Sequence, residues 1–344
     1  MSLKMSDIAR IAHVSKATVS LVLNEQPGVS ESTRQRIKKI MADLHYSPLR
    51  KSRRMQTNNF GEVTLLAITT TGVVSDNYQA LPFFSSLIYE LSQEVDRLQG
   101  ELTTITIEAS DLKKKLPQLR TSLNKVIVLG TDLTHDQVMF INQKIKHVVF
   151  LDTTYDDINA DFITMDNYQG ARLAAQHIIA QGYHRIGYFA SDKPMANFYG
   201  RRRGFRSALE EAQLKIDNRD FYFISPIETN PTGINFQELV NRDLPPAIFC
   251  EDDYIALRLI KAASQAHIRV PEDVAIMGFD DLFAGTIITP ELTTIHVNIQ
   301  QMATQGLQQL VNQFAHPDWL PQKSLITTTL IKRRSLWYGP KLLN

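Results

Sequence analysis

The sequence predicts two unlike parts. One is an all-α head of three short helices plus a hinge helix, and the other is an α/β core of two parallel-sheet, Rossmann-like lobes. Three observations predict this. The 344 residues fill two or three folding units at roughly 100–200 residues each. Charge is unevenly shared: residues 1–60 hold eleven Lys/Arg and four Asp/Glu, whereas the rest hold 26 basic and 32 acidic residues, so a net charge of +1 conceals a basic head on an acidic body. From residue 61 onward, short β-rich runs alternate with amphipathic helical stretches, the pattern of parallel sheets covered by helices.

With 43% hydrophobic and 21% charged residues, the composition is that of a globular chain. No apolar run approaches the roughly 18–20 residues that span a bilayer, and the N-terminus has no signal-peptide-like apolar stretch. A cytoplasmic location without a membrane partner is expected. The single cysteine, Cys250, excludes an internal disulfide framework and any Cys-built metal site. A basic head suits a polyanion, although a solvated basic face gives the same count.

The head begins with Ser6 as a candidate N-cap and Ile8, Ala9, Ile11 and Ala12 at helical spacing. His13-Val14 makes a tight break, and Ser15 caps a second helix over 16–24 whose Val19, Val22 and Leu23 face inward. After Pro27-Gly28, Ser30 caps a third helix with Ile37, Ile40, Met41 and Leu44 on one face. Helix, short turn, helix is the shape that lays its second helix in the DNA major groove. The inward stripe leaves Lys16, Ala17, Ser20, Leu21 and Asn24 facing out. Lys16 can donate to guanine, and Ala17 and Leu21 can pack on a thymine methyl. The hydroxyls of Ser15, Thr18 and Ser20 suit phosphates, as does Tyr46 after the third helix.

Leu49-Arg50-Lys51-Ser52-Arg53-Arg54-Met55 follows, with four positive charges and no acid. Such a segment repels itself as a free peptide and can fold against phosphates; Arg50 and Arg53 are expected there. Met55 can wedge between base pairs in the minor groove. A merely flexible basic linker is the alternative. The head thus covers 5–48 and the hinge 49–60.

Ser6-Asp7-Ile8-Ala9, Val14 to Asn24, Val29-Ser30 with Thr33-Arg34, and Leu44 to Pro48 together resemble the LacI/GalR family of bacterial transcription regulators. The resemblance implies that Lys16, Ala17 and Leu21 read bases and that Met55 takes the place of the family's usual leucine wedge. The basic run Arg50–Arg54 is a departure, since the family more often has small residues there.

Expected strands in the body are 63–69, 102–107, 125–129, 147–151, 162–165, 185–189, 221–224, 247–250, 274–278, 293–297 and 325–331. Helices are expected over 82–98, 168–181 and 300–314, with Gly182 as a stop. So many strands suit two consecutive sheets, and two lobes joined by several crossings enclose a cleft that closes on a ligand. The resemblance implies a periplasmic-binding-protein-like core over 61–344. Its first lobe covers approximately 61–164 and 292–322, and its second approximately 165–291 and 323–335.

Ligand groups belong at the C-terminal ends of the strands and the starts of the following helices. Phe84 offers a flat face to a sugar ring, or is an ordinary core aromatic. Arg201, within Gly200-Arg201-Arg202-Arg203-Gly204, can chelate vicinal hydroxyls or a carboxylate; the resemblance makes it the ligand arginine and leaves Arg202 and Arg203 solvated. Asp280 ends an apolar strand as an acceptor, with Asp281 expected to cap a helix. Asp252 stands where the family often has Asn, an acceptor-only group in place of a donor-acceptor one. Asn197 and Asp152 are further polar candidates. Purine-binding relatives carry another arginine six residues before Arg201, where this chain has Met195, which disfavours a purine.

The pairs Glu251-Asp252-Asp253 and Asp280-Asp281 could serve a hydrolase or a hard metal, but they fall where binding carboxylates and caps belong. The nine histidines show no metal spacing, and there is no phosphate-loop motif. No catalytic residue, cofactor or metal is expected. The reading is a sequence-specific repressor of carbohydrate-utilisation genes, a homodimer on a palindromic operator, coupled to a sugar or sugar-phosphate effector. The resemblance adds a phosphocarrier protein as a co-regulator in part of the family. A solute-binding protein or a carbohydrate-active enzyme on the same core is the alternative.

Overall fold

The structure is a computed structural model that describes residues 5–23, 28–43, 60–119, 123–226 and 243–337. The chain divides into two compact units, 1–58 and 59–344.

The first unit contains helices α1 (Met5–Ile11), α2 (Lys16–Leu23) and α3 (Glu31–Asp43). Ile8, Ala9, Ala12, Val19, Val22 and Ile37 form its core, with Val14, Val29, Ile40 and Met41 packed against it. Helix α1 already begins at Met5, so Ser6 lies inside its first turn and is not its cap, and Ile11, expected inside, is 41% exposed. The break after α1 is His13, whose φ of 52° turns the chain. The Thr18 N–H donates to Ser15 Oγ at 3.1 Å, and the Thr33 N–H donates to Ser30 Oγ at 3.3 Å, so both expected caps form. Asn24, Leu44, Tyr46, Arg50, Arg53, Met55 and nearly all of the hinge segment lie outside the described residues.

The second unit opens with β1 (Gly61–Thr69), α4 (Pro82–Arg97), β2 (Gly100–Glu108), α5 (Leu112–Leu119), β3 (Val126–Leu129), α6 (His135–Lys144), β4 (Val148–Leu151) and β5 (Asp161–Met165). Strands β1 and β3–β5 are almost wholly buried, as sheets covered on both faces require. They form a parallel sheet in the order β11-β5-β4-β3-β1-β2, where β11 (Lys323–Ile326) returns from the end of the chain.

The second lobe follows as α7 (Asn167–Ala180), β6 (Ile186–Ser191), α8 (Ala196–Glu211), β7 (Phe221–Ile224), β8 (Ala247–Cys250), α9 (Asp253–Gln265), β9 (Ala275–Met277) and α10 (Ala284–Ile287). Gly182, at φ 89°, ends the turn after α7 as expected. Its parallel sheet runs β7-β6-β8-β9. Next come β10 (Thr294–His296), α11 (Ile299–Ala315), β11 and β12 (Thr329–Ile331).

Two expectations about the returns are corrected. The run 325–331, read as one strand, is two: β11 pairs parallel with β5 in the first lobe, and β12 pairs antiparallel with β10. The chain breaks at Thr328, whose N–H and hydroxyl both donate to Gln169 Oε1 at 3.1 and 2.6 Å. Residues 323–326 therefore belong to the first lobe. Conversely, 293–296, placed by sequence in the first lobe, joins the second sheet through bridges from Met277 to Thr293 and from Asp280 to His296. Alternating hydrophobicity cannot say which of two sheets a strand joins.

Both lobes carry a topological switch point, the place where open α/β sheets bind ligands. In the first lobe it lies between β1 and β3, because β2 lies on one side of β1 and β3 on the other. In the second it lies between β6 and β8.

Candidate functional site

In the head, Ser15 and Lys16 are exposed at the start of α2, and Thr18, Ser20 and Leu21 are half-buried. The Ser15 and Thr18 hydroxyls lie 2.9 Å apart, so both stand at the helix start where backbone N–H groups can meet a phosphate. Leu21 is less free than its outward position suggested, since its Cδ1 lies beside Gly28. Ala17 is placed in α2 by its backbone. The structure thus gathers Ser15, Lys16, Thr18, Ser20 and Leu21 on one short helix.

In the body, all six expected ligand residues line one cavity of about 50 Å³. Phe84 sits in the first turn of α4, which Pro82 opens. It is 2% exposed and meets Phe83 edge-on with centroids 5.3 Å apart. It is thus both core aromatic and cavity wall. Asp152 follows β4 with φ 61°, a left-handed turn that Asp tolerates better than most residues. Its Oδ2 accepts from Thr131 Oγ1 at 2.6 Å and its Oδ1 from Asn197 Nδ2 at 2.8 Å. Asn197, in the first turn of α8, also donates to the Asp152 carbonyl at 3.1 Å. These bonds join the lobes.

Arg201 lies one helical turn further along α8 and is 3% exposed. Nε donates to Asn167 Oδ1 at 2.9 Å, Nη2 to Asp280 Oδ1 at 3.1 Å, and Nη1 to the Glu251 carbonyl. Its guanidinium lies 3.7 Å from the centroid of the Phe279 ring, a cation–π contact. Asn167 Nδ2 in turn donates to Asn197 Oδ1 at 2.9 Å. A continuous chain therefore runs Asp280–Arg201–Asn167–Asn197–Asp152–Thr131, from the second lobe to the first. Asn167 was not anticipated, because nothing in its local sequence distinguishes it from a helix-start polar residue. Tyr254 was also missed: its hydroxyl receives the Phe83 N–H at 3.4 Å across the cleft.

Asp252 caps α9, accepting the Ile255 N–H at 2.7 Å. Burial dominates the cavity's acids. It pushes Asp152 up to about 7. Asp252 goes to about 8, with the neighbouring Asp280 charge adding to burial. Asp280 rises to about 6, held back by Arg201. Each shift has the direction desolvation requires for a carboxylate. Met195, at the N-cap of α8, contributes a buried thioether to the wall in place of a cation.

Two expectations nearby are corrected. Arg202 is not solvated: its Nε donates to Glu251 Oε1 at 2.6 Å, and Glu251 also accepts from the Tyr188 hydroxyl at 2.9 Å. Arg203, by contrast, is exposed on α8, as expected. Asp281 caps no helix. It pairs with Arg333 at 2.5 Å and His296 at 3.0 Å, tying β10 and the end of the chain to the loop that carries Asp280. Asp253 is fully buried between the Leu282 N–H and the Thr294 hydroxyl, at 2.7 and 2.6 Å, bracing the same loop. Cys250 is buried in β8 and its thiol is pushed well up by burial. Among the described residues no cluster of three or more His, Cys, Asp or Glu is arranged to hold a metal ion, and no helix is long and apolar enough to cross a membrane.

A three-helix head with a turn-linked second helix, on one chain with a two-lobe core enclosing a polar-and-aromatic cavity, defines a DNA-binding regulator that responds to a small ligand. Comparison with known proteins agrees. Residues 4–48 match the family described as bacterial regulatory proteins, lacI family, and residues 175–336 match the periplasmic binding protein-like domain. The chain belongs to the LacI/GalR family of bacterial transcription regulators. It is 27% identical over 339 residues to the HTH-type transcriptional repressor PurR of Haemophilus influenzae, covering 96% of this chain and 98% of that one. It is 28% identical over 340 residues to the ribose operon repressor of Escherichia coli, covering 96% and 99%. Among solved structures, a transcriptional regulator CelR–cellobiose complex matches with a TM-score of 0.69 at 23% identity, covering 97% of this chain and 99% of that one. The lac repressor dimer bound to operator and the anti-inducer ONPF matches with 0.68 at 20%, covering 98% and 100%. At these identities the structural likenesses establish the fold.

Proposed function

We propose that the chain is a homodimeric, sequence-specific repressor of carbohydrate-utilisation genes whose operator affinity is set by a sugar-type effector held between the lobes. One observation carries this reading. The hydrogen-bonded chain from Asp280 to Thr131 crosses the cleft through the cavity wall, so a ligand bonding to it changes how the lobes are joined. The heads read the two halves of a palindrome, Lys16, Ala17 and Leu21 at base edges and Ser15, Thr18 and Ser20 at phosphates. Asn24, Tyr46, Arg50, Arg53 and Met55 complete the DNA contacts. Phe84, Asp152, Asn197, Arg201, Asp252 and Asp280 hold the effector. Effector and operator act on each other reciprocally, a coupling of typically about 1–3 kcal/mol.

The protein acts where the chromosome is, in the cytoplasm, and binds its ligand without turning it over. A phosphocarrier protein is a further partner for part of the control. The experiment is a titration of the full chain on the DNA upstream of its own gene at moderate salt, with and without a panel of sugars, alongside a turnover assay on the same sugars. Binding to a palindromic segment that one sugar shifts, with that sugar left intact, is the expected result. Failure to bind DNA, or consumption of the sugar, overturns the reading.

A further inference from the structure

The polar groups of the cavity narrow its ligand to a chemical class, on the reading that this ligand governs the head. Asp252 is 3% exposed and spends only Oδ1, on the Ile255 N–H. Asp280 likewise spends Oδ1, on Arg201. The Oδ2 atoms of both have no hydrogen-bond partner among the described residues, although both side chains line the cavity. Both oxygens are left open at the cavity instead of being met by protein donors, so these two define what a ligand must supply. It must bring hydrogen-bond donors.

The charge inventory points the same way. Among the described lining residues the one basic side chain is Arg201, facing Asp152, Asp252 and Asp280. Its guanidinium is already engaged by Asp280, Asn167 and the Glu251 carbonyl. A phosphate or carboxylate entering here meets three acids and one committed cation. The helix starts offer no relief: α9 is capped by Asp252, and the first turn of α8 is faced by Asp152 through Asn197. Burial and mutual repulsion raise Asp252 to about 8, consistent with an acid lacking its counterpart. Phe83, Phe84, Phe198 and Tyr254 supply flat walls of the kind that pack on the C–H faces of a ring.

We propose that the effector is a ring polyol carrying no phosphate or carboxylate, whose adjacent donor groups, hydroxyls or an ammonium, sit between Asp252 and Asp280. Asp252 is the specificity-determining residue, because ligand donors draw out its ionised, acceptor-only form, whereas an anion beside it opposes that ionisation. The geometry leaves Arg201 two further N–H groups for a ring oxygen or hydroxyl, since three of its five are in use.

The test uses the full chain in thermal-shift and calorimetric titrations against matched arms. One arm holds glucose, galactose, ribose and cellobiose; the second holds glucosamine and galactosamine; the third holds glucose 6-phosphate, ribose 5-phosphate and glucuronate. Hits confined to the first two arms are expected, with the anionic counterpart of any hit weaker by at least about tenfold. An anionic compound that binds best and shifts operator affinity overturns the ligand class but leaves the regulator reading standing. Silence in all three arms, with operator binding unmoved, overturns both. Asp252→Asn is the second arm of the test, since Asn caps a helix as well as Asp and keeps the volume. The variant is expected to keep its melting cooperativity while the hit weakens by about tenfold or more and discrimination against the phosphate relaxes. Unchanged affinity and discrimination in the folded variant remove Asp252 from its assigned role.

Discussion

Lys16 shows what a single residue contributes at the DNA end. It opens α2 with its side chain exposed, and a lysine in that place can donate to guanine O6 or N7. Lys16→Ala is expected to lose about 1–3 kcal/mol of discrimination at one base pair per half-site, measured by competition among operators altered at each position; uniform weakening across all of them would make Lys16 a phosphate contact instead. At the ligand end, Asp252 can be followed by pH. Its ordinary value of 3.8 rises to about 8 in the fold, so between those values the folded chain holds a proton that the unfolded chain has released. Raising the pH then removes stability, at most about 1.4 kcal/mol per pH unit for one group. Without ligand, Asp252→Asn should melt progressively higher than the parent as the pH rises through this window, and the gap should level off above about 8. A constant gap would mean that Asp252 is ionised throughout. Such residues were legible because each ends a strand or opens a helix in a recognisable motif. Asn167 and Tyr254 were not, because their roles come from partners 30 and 171 positions away.

Between elements, the decisive contact is that of α7 with α8, which sets Arg201 and Asn197 against Asn167. Glycine makes it close: a Cβ at Gly204 would stand 2.1 Å from the Tyr168 carbonyl oxygen, a backbone atom that cannot step aside. Gly204→Ala should therefore push the helices apart and cost about 1–3 kcal/mol or more. The loss is readable as a lower denaturation midpoint, with effector affinity expected to fall alongside it because Asn167 on α7 holds Asn197 and Arg201 on α8. A variant melting like the parent would show that the two helices yield without strain. The head gives a milder case. Ser15 Oγ accepts the Thr18 N–H, and Ser15→Ala should lower head stability by about 1 kcal/mol, seen as earlier loss of helical signal. Element boundaries were legible to within a residue or two where burial alternated with turns, as for β7 and β8. The returns were not, because β11 and β12 share one β-rich run and only the Gln169 side chain, holding Thr328 from another element, decides where it divides.

For the whole chain, the question is whether the cavity can be silenced without disabling the DNA-reading unit. The two units fold around separate cores, so a change confined to the cavity leaves α2 and its caps intact. Arg201 is the place to make it. Arg201→Ala removes the guanidinium that joins Asp280 to Asn167 and leaves the Asp280 carboxyl buried at 9% exposure without its cation. That carboxyl already titrates near 6 with the arginine present. Without the arginine it rises further and is neutral at pH 7, which limits the burial cost that an unpaired ion would impose. The variant should therefore stay folded near neutrality and lose stability as the pH rises, because the unfolded chain then releases a proton that the folded chain keeps. On operator DNA it should bind as the parent does without ligand, while effector no longer moves the binding curve. Linkage demands the converse as well: adding operator should leave the variant's residual ligand affinity unchanged, whereas it shifts the parent's by the same factor that effector shifts operator binding. Operator binding measured with and without ligand, and ligand binding measured with and without operator, close this cycle. A variant that still responds would place the coupling outside the Arg201–Asn167–Asn197–Asp152 chain.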